Sequence, residues 1–117
     1  MALTDFGKAI RTARIETDVT LSQMADDIGA TPAFLSAIET GRKKIPDAWV
    51  GKIDTFFRFK GKVIANLRDL ATVANGEVSV AGLSPAQQML VAGFARTNLD
   101  ADQLKKFQQL LSNSMKV

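Results

Sequence analysis

Few side chains in this 117-residue chain can do chemistry, and those that can are mostly cationic. Histidine, cysteine and tyrosine are absent. That removes Ser–His and Cys–His pairs, phenolic acids, thiolate or imidazole metal sites, and disulfides. Asp26 and Asp27 are adjacent in a helical pattern, so they point apart and belong to a solvated face. No serine has a lysine in supportive context. Gly41-Arg42-Lys43-Lys44 lacks the first glycine and the following Ser or Thr of a phosphate-binding loop. No enzymatic activity, cofactor or metal is therefore expected. The cations are unevenly spread. Fifteen basic and twelve acidic residues leave the whole chain at only +3. Between Arg42 and Lys62, however, Arg42, Lys43, Lys44, Lys52, Arg58, Lys60 and Lys62 stand against Asp47 and Asp54, a net of +5. Such a cluster suits contact with phosphates, which positions a protein on a nucleic acid without specifying sequence.

The segment that must position this cluster is Thr20–Lys44. Thr20 and Gln23 form the pattern of a capping box, and Val19 and Met24 flank it as a hydrophobic staple. Gly29 stops that helix, because glycine enters the left-handed region without a Cβ penalty. Thr31 caps a second helix with Pro32 at its first position, where the missing N–H costs nothing. Gly41 ends it. Met24, Ile28, Leu35 and Ile38 fall on facing sides, and Ala25 is small where two crossing helices come close. The pattern is that of a helix-turn-helix.

With Leu21 as the first of twenty motif positions, Met24, Ala25, Ile28, Gly29, Leu35 and Ile38 occupy the positions such motifs require. Arg14 and the run Ser36-Ala37-Ile38-Glu39-Thr40-Gly41-Arg42 extend the match. The region from about Phe6 to Phe57 resembles the lambda-repressor-like domain of the Cro/Xre family of regulators. The resemblance implies that Arg14 pairs with Glu39 as a structural, partly buried ion pair. It also implies that the second helix of the motif enters the DNA major groove with Thr31, Pro32, Ala33, Ser36, Ala37 and Thr40 facing it. Family members often carry glutamine, asparagine or arginine there; this chain offers three hydroxyls, and alanine and proline that meet thymine methyls, so direct readout is expected to be modest. Leu21 stands where the family often has a phosphate-binding glutamine, leaving Ser22 or Gln23 to substitute. Arg42, Lys43 and Lys44 follow the recognition helix directly, beside the path of a phosphate backbone.

Around the motif, Phe6, Ile10 and Ala13 mark one face of a first helix. Pro46 and Asp47 open a later helix whose Trp49, Val50, Ile53, Phe56 and Phe57 have the spacing of core residues rather than of a base-stacking surface. Phe34 is likewise expected to pack inside. After Gly61, the residues Val63, Ile64, Leu67, Leu70, Ala71 and Ala74 predict another amphipathic helix, closed by Asn75-Gly76. Glu77–Val80 alternates as a short extended piece would. Ser84-Pro85-Ala86-Gln87 and Asp100-Ala101-Asp102-Gln103 each open a tail helix, the second with Leu99 and Leu104 as its staple. The expected fold is all-α: a lambda-repressor-like helix-turn-helix bundle in residues 1–76, then a C-terminal helical extension in residues 77–117. The helix after Pro85 is apolar around nearly its whole circumference, so it must be covered on more than one side. The amino-terminal helices can cover one side, and the final helix another, through Leu104, Phe107, Leu110 and Leu111. Met89, Val91 and Phe94 are then candidates for contact with a second copy.

No apolar run approaches the ~20 residues that span a bilayer. The charged, amphipathic amino terminus does not match a signal peptide. A cytoplasmic protein without membrane contact is expected. The function these residues point to is a sequence-specific, double-stranded DNA-binding transcription regulator, a repressor acting as a homodimer on a palindromic operator. Two alternatives fit the same residues. One is the antitoxin of a toxin–antitoxin pair, which represses its own operon and holds a toxin as protein partner. The other is a helix-turn-helix adaptor that binds only proteins, such as another regulator.

Overall fold

Local capping chemistry sets most helix boundaries in the computed structural model, which describes residues 2–115. Thr4 accepts from the Gly7 amide at 3.0 Å and opens α1 (Asp5–Glu16). The Thr20–Gln23 capping box opens α2 (Leu21–Ile28), with both reciprocal bonds formed, and Gly29 closes it at φ 76°. Thr31 accepts from the Phe34 amide and Pro32 begins α3 (Pro32–Glu39). Then come α4 (Asp47–Phe59), α5 (Leu67–Asn75), α6 (Pro85–Arg96) and α7 (Ala101–Met115). The fold is all-α, with no strand among the described residues. The Glu77–Val80 stretch forms neither helix nor strand.

One expected element begins late. Val63 and Ile64 precede α5 instead of belonging to it. Gly61 turns left-handed at φ 77°, the Lys62 amide folds back onto the Phe57 carbonyl, and Asn66 sits at φ 58° just before Leu67. Asparagine tolerates that region better than most residues, so two left-handed turns bracket the segment and keep it out of the helix.

The chain divides into two units, Met1–Val78 and Ser79–Val117. In the first, α1 packs on α3 and α5, α2 on α3 and α4, and α4 on α5. Phe6, Ile10, Met24, Leu35, Ile38, Ile53 and Phe57 are its largest fully buried side chains. Ala25 is completely buried, as its size predicts. Phe56 and Phe57 meet edge to face with centroids 5.0 Å apart, so these rings are core. Gly7 marks the closest helix approach: a Cβ there would lie 2.1 Å from the Glu39 carbonyl oxygen.

The second unit is a pair of helices. Ser84 and Gln87 form a reciprocal box at the start of α6, and Asp100 and Gln103 do the same at the start of α7. Gln88 donates to the carbonyls of Val80 and Leu83, tying the segment that leads into α6 to the helix. Phe94 and Phe107 meet edge to face at 5.3 Å, joining the two helices. No residue from Ser79 to Ser114 is buried.

Candidate nucleic-acid interface

The candidate surface is built from α3 and the loop that follows it. Three interactions fix α3. Leu35 and Ile38 are in the core. The Arg14 guanidinium donates to both carboxylate oxygens of Glu39, and the two residues are only 9% and 4% exposed. A buried charge pair of this kind is stable only when its hydrogen bonds are satisfied, and among the described residues no buried side-chain N or O is left without a partner. Finally, the Thr4 amide and hydroxyl both donate to the Glu39 carbonyl at 3.1 Å, capping the carboxyl end of α3 from α1. Gly7 makes that approach possible.

With α3 held in this way, Thr31, Pro32 and Ala33 are exposed at its amino end, and Ser36 and Thr40 are half-buried. Ala37 is 8% exposed, so its methyl is a packing group in the interior and not a surface contact. The hydroxyls are not equally available. Thr31 spends its oxygen on the helix cap. Thr40 donates to the Ser36 carbonyl at 2.9 Å and accepts from Arg42 Nε at 3.2 Å. The Ser36 side chain makes no hydrogen bond among the described residues. The Gln23 side-chain oxygen is engaged in its capping box, whereas Ser22 is exposed.

The basic loop is tied to α3 at one end and to α5 at the other. The Arg42 and Lys43 amides both donate to the Ala37 carbonyl, at 2.9 and 3.2 Å. Gly41, at φ 77°, makes the turn that allows this. Further along, the Asn75 side chain reaches back to the Ile45 backbone. Its oxygen accepts from the Ile45 amide at 2.7 Å and its nitrogen donates to the Ile45 carbonyl at 3.0 Å. Ile45 itself is buried.

Electrostatically the seven cations fall into two groups. Lys44 pairs with Glu77, Arg58 with Asp54 at 2.8 Å, and Lys62 with Glu16 at 2.6 Å. Arg42, Lys43, Lys52 and Lys60 form no ion pair among the described residues. Three of these lie over aromatic faces: Lys43 at 6.0 Å from the Phe34 centroid, Lys52 at 4.3 Å from Trp49, and Lys60 at 5.2 Å from Phe56. Phe34 and Trp49, each half-buried, contact one another at 5.0 Å. Ring faces attract these ammonium groups without neutralising them. Arg42 and Lys43 are thus the loop cations with charge to offer an anion, and Lys44 would have to exchange Glu77 for one.

Thr4, Gly7 and Asn75 hold this surface and were not identified from sequence as its supports. Thr4 carries a local capping signal, but its bonds to Glu39 bridge distant parts of the chain. Asn75 resembles an ordinary helix-ending residue, and nothing near it in sequence points to Ile45. Among the described residues no cluster of potential ligands could hold a metal ion, and no helix is long and apolar enough to cross a membrane. No family model, curated protein or solved structure matches the chain.

Proposed function

We propose that the first unit is a lambda-repressor-like helix-turn-helix module that binds duplex DNA, and that the protein is a cytoplasmic transcription regulator, a repressor by site occupancy. The observation that carries this reading is the attachment of the Arg42-Lys43-Lys44 loop to the last turn of α3 through the Ala37 carbonyl. A helix with an exposed amino-terminal turn and a cationic loop fixed to its other end has both parts of a DNA reader: side chains for base edges and charges for phosphates. Ser36 and the exposed Thr31, Pro32 and Ala33 would meet the bases. With only short hydroxyls and mainly methyl contacts on offer, direct readout stays weak and phosphate contacts carry much of the affinity. Arg14 and Glu39 take no part in contact; they hold α3. No catalytic role is proposed.

The test is selection of bound duplexes from a random DNA pool, followed by affinity measurements across salt concentrations. A recovered consensus and a steep fall of affinity with salt are expected. Replacing Arg42, Lys43 and Lys44 together by alanine should weaken all sequences alike and flatten the salt slope by roughly 2–3 units. Wild-type slope and affinity in that variant would remove the loop from the interface. Absence of any duplex binding would favour an adaptor that binds only proteins. A second reading, an antitoxin that represses its own operon, is favoured by the unburied apolar side chains of the second unit, which suit a protein partner. It makes the same DNA prediction and differs in what occupies that unit.

A further inference from the structure

Asn75 and Gly76 each answer a different structural demand, and side by side they make a reactive pair. Asn75, the last residue of α5, is needed for its amide. The side-chain oxygen accepts from the Ile45 amide at 2.7 Å, and the nitrogen donates to the Ile45 carbonyl at 3.0 Å. Gly76 is needed for its backbone, which closes α5 in the left-handed region at φ 71°. Asparagine is thermolabile, and a following glycine has no Cβ to shield the backbone nitrogen that attacks its side chain. Asn66, Asn98 and Asn113 are followed by Leu67, Leu99 and Ser114, so Asn75 alone has a glycine after it.

The folded structure restrains both reacting groups. Ile45 engages both ends of the Asn75 amide, and the Gly76 N–H donates to the carbonyls of Thr72 and Val73, each at 3.1 Å. This clasp is not sealed. Asn75 is only half-buried, Gly76 is exposed, and so are both members of the neighbouring Lys44–Glu77 ion pair. Helix ends open locally more readily than a whole unit unfolds. Fraying of the last turn of α5 frees the side chain and the nitrogen together.

We propose that Asn75 is a self-modification site gated by its clasp on Ile45, and that its conversion releases the basic loop in one direction only. In the open state the Gly76 nitrogen gives its proton to hydroxide and attacks Asn75 Cγ. The new N–C bond closes a five-membered imide as the Cγ–Nδ2 bond breaks, and Nδ2 takes up a proton and leaves as ammonia. Water then opens the ring at either carbonyl, giving an aspartyl or an isoaspartyl linkage. Water enters and ammonia leaves, with no oxidation or reduction. Either product carries a carboxylate in place of the amide. In the aspartyl form it can still accept from the Ile45 amide, but it has no hydrogen for the Ile45 carbonyl, so two oxygens face each other there. The isoaspartyl form also lengthens the main chain by one carbon and displaces the cap. Both add a negative charge next to the end of the Arg42-Lys43-Lys44 run. Any loss of DNA affinity rests on the DNA-binding proposal; the modification and the release of the loop do not.

The experiment incubates the full chain at mildly alkaline pH, folded and in urea, and follows conversion by mass spectrometry. Trypsin releases Asp69–Arg96, in which Asn75 is the only asparagine. In urea Asn75 should convert ahead of Asn66 and Asn98. In the folded chain it should convert about 5- to 150-fold more slowly, the protection expected from the two clasp hydrogen bonds. Equal rates in the two states, no folded-state conversion within that range, or a lag behind Asn66 or Asn98 in urea would each overturn the site. Release of the loop is read on converted protein and on Asn75→Asp by amide exchange. Lys43–Ile45 should exchange roughly tenfold faster than in wild type. Fluorescence of Trp49, the sole tryptophan and a residue of the first unit, should stay unchanged. Wild-type exchange in both forms overturns the one-way release. DNA binding is scored separately. Conversion and release in a protein that ignores DNA would sink the functional proposal and leave this one standing, whereas DNA binding without conversion at Asn75 would do the reverse.

Discussion

Phe57 of α4 and Phe107 of α7 are the same residue type on the apolar faces of amphipathic helices, yet one is 0% exposed and the other 44%. The difference is the number of neighbours each helix has. Phe57 belongs to a core to which α1, α2, α3, α4 and α5 all contribute side chains, and it is fully buried there. Phe107 belongs to a hairpin, and two helices can cover only one side of each other. Amphipathic pattern and good caps make a helix; they do not make a core. The first unit should therefore have a stability that is its own, and the second a stability that depends on what it meets.

The largest effect that would test this contrast is Glu39→Ala. It leaves the Arg14 guanidinium buried without its carboxylate and should destabilise the first unit by about 3–5 kcal/mol. The loss, read by urea denaturation through Trp49, should not change with protein concentration. Equal midpoints for wild type and variant would mean the pair is not structural.

Two helical glycines sharpen the comparison further. Gly7→Ala drives a Cβ into the Glu39 carbonyl and should cost about 3 kcal/mol, through overpacking against backbone that cannot move aside. Gly93→Ala, where nothing lies within 4 Å, should instead stabilise α6 by roughly 0.5–1 kcal/mol, since alanine loses less backbone entropy in a helix. Thermal melts followed by circular dichroism would separate the two signs. Destabilisation of similar size at both positions would mean that α6 is as tightly packed as α1.

Asn75→Ala is the intermediate case. It removes both hydrogen bonds to the Ile45 backbone and should cost about 1–3 kcal/mol. Because that clasp anchors the basic loop, amide exchange at Lys43–Ile45 should quicken. If the loop is a phosphate contact, DNA affinity should fall more than the fraction folded does. Unaltered exchange there would show that the loop is held by Ala37 alone.

How legible these features were depended on their range. Thr20–Gln23, Ser84–Gln87 and Asp100–Gln103 are reciprocal bonds between residues three apart, and the structure forms each as the sequence predicts. The facing pattern of Met24, Leu35 and Ile38 likewise follows from helical period. Arg14 with Glu39 could be paired through the family resemblance, though periodicity alone places Arg14 only near an apolar face. The apolar spacing from Val63 onward predicts too early a start for α5, because it says nothing about the left-handed turn at Asn66. Ala37 was expected at the surface because its motif position suggests it, and it is buried.

By itself, then, the sequence determined helix type, most helix ends, the absence of histidine and cysteine chemistry, and the concentration of positive charge after Gly41. All of these are set by residues within one or two turns of one another, or by composition. Only the tertiary structure decided that Thr4 caps α3 across the chain, that Gly7 is the point of closest approach, and that Asn75 anchors the basic loop. It also decided which loop cations already have carboxylate partners, and that the apolar stripe of the last helix stays about half exposed. These depend on which helices meet and how closely. Such distances arise from the simultaneous packing of the whole unit, so no local pattern records them.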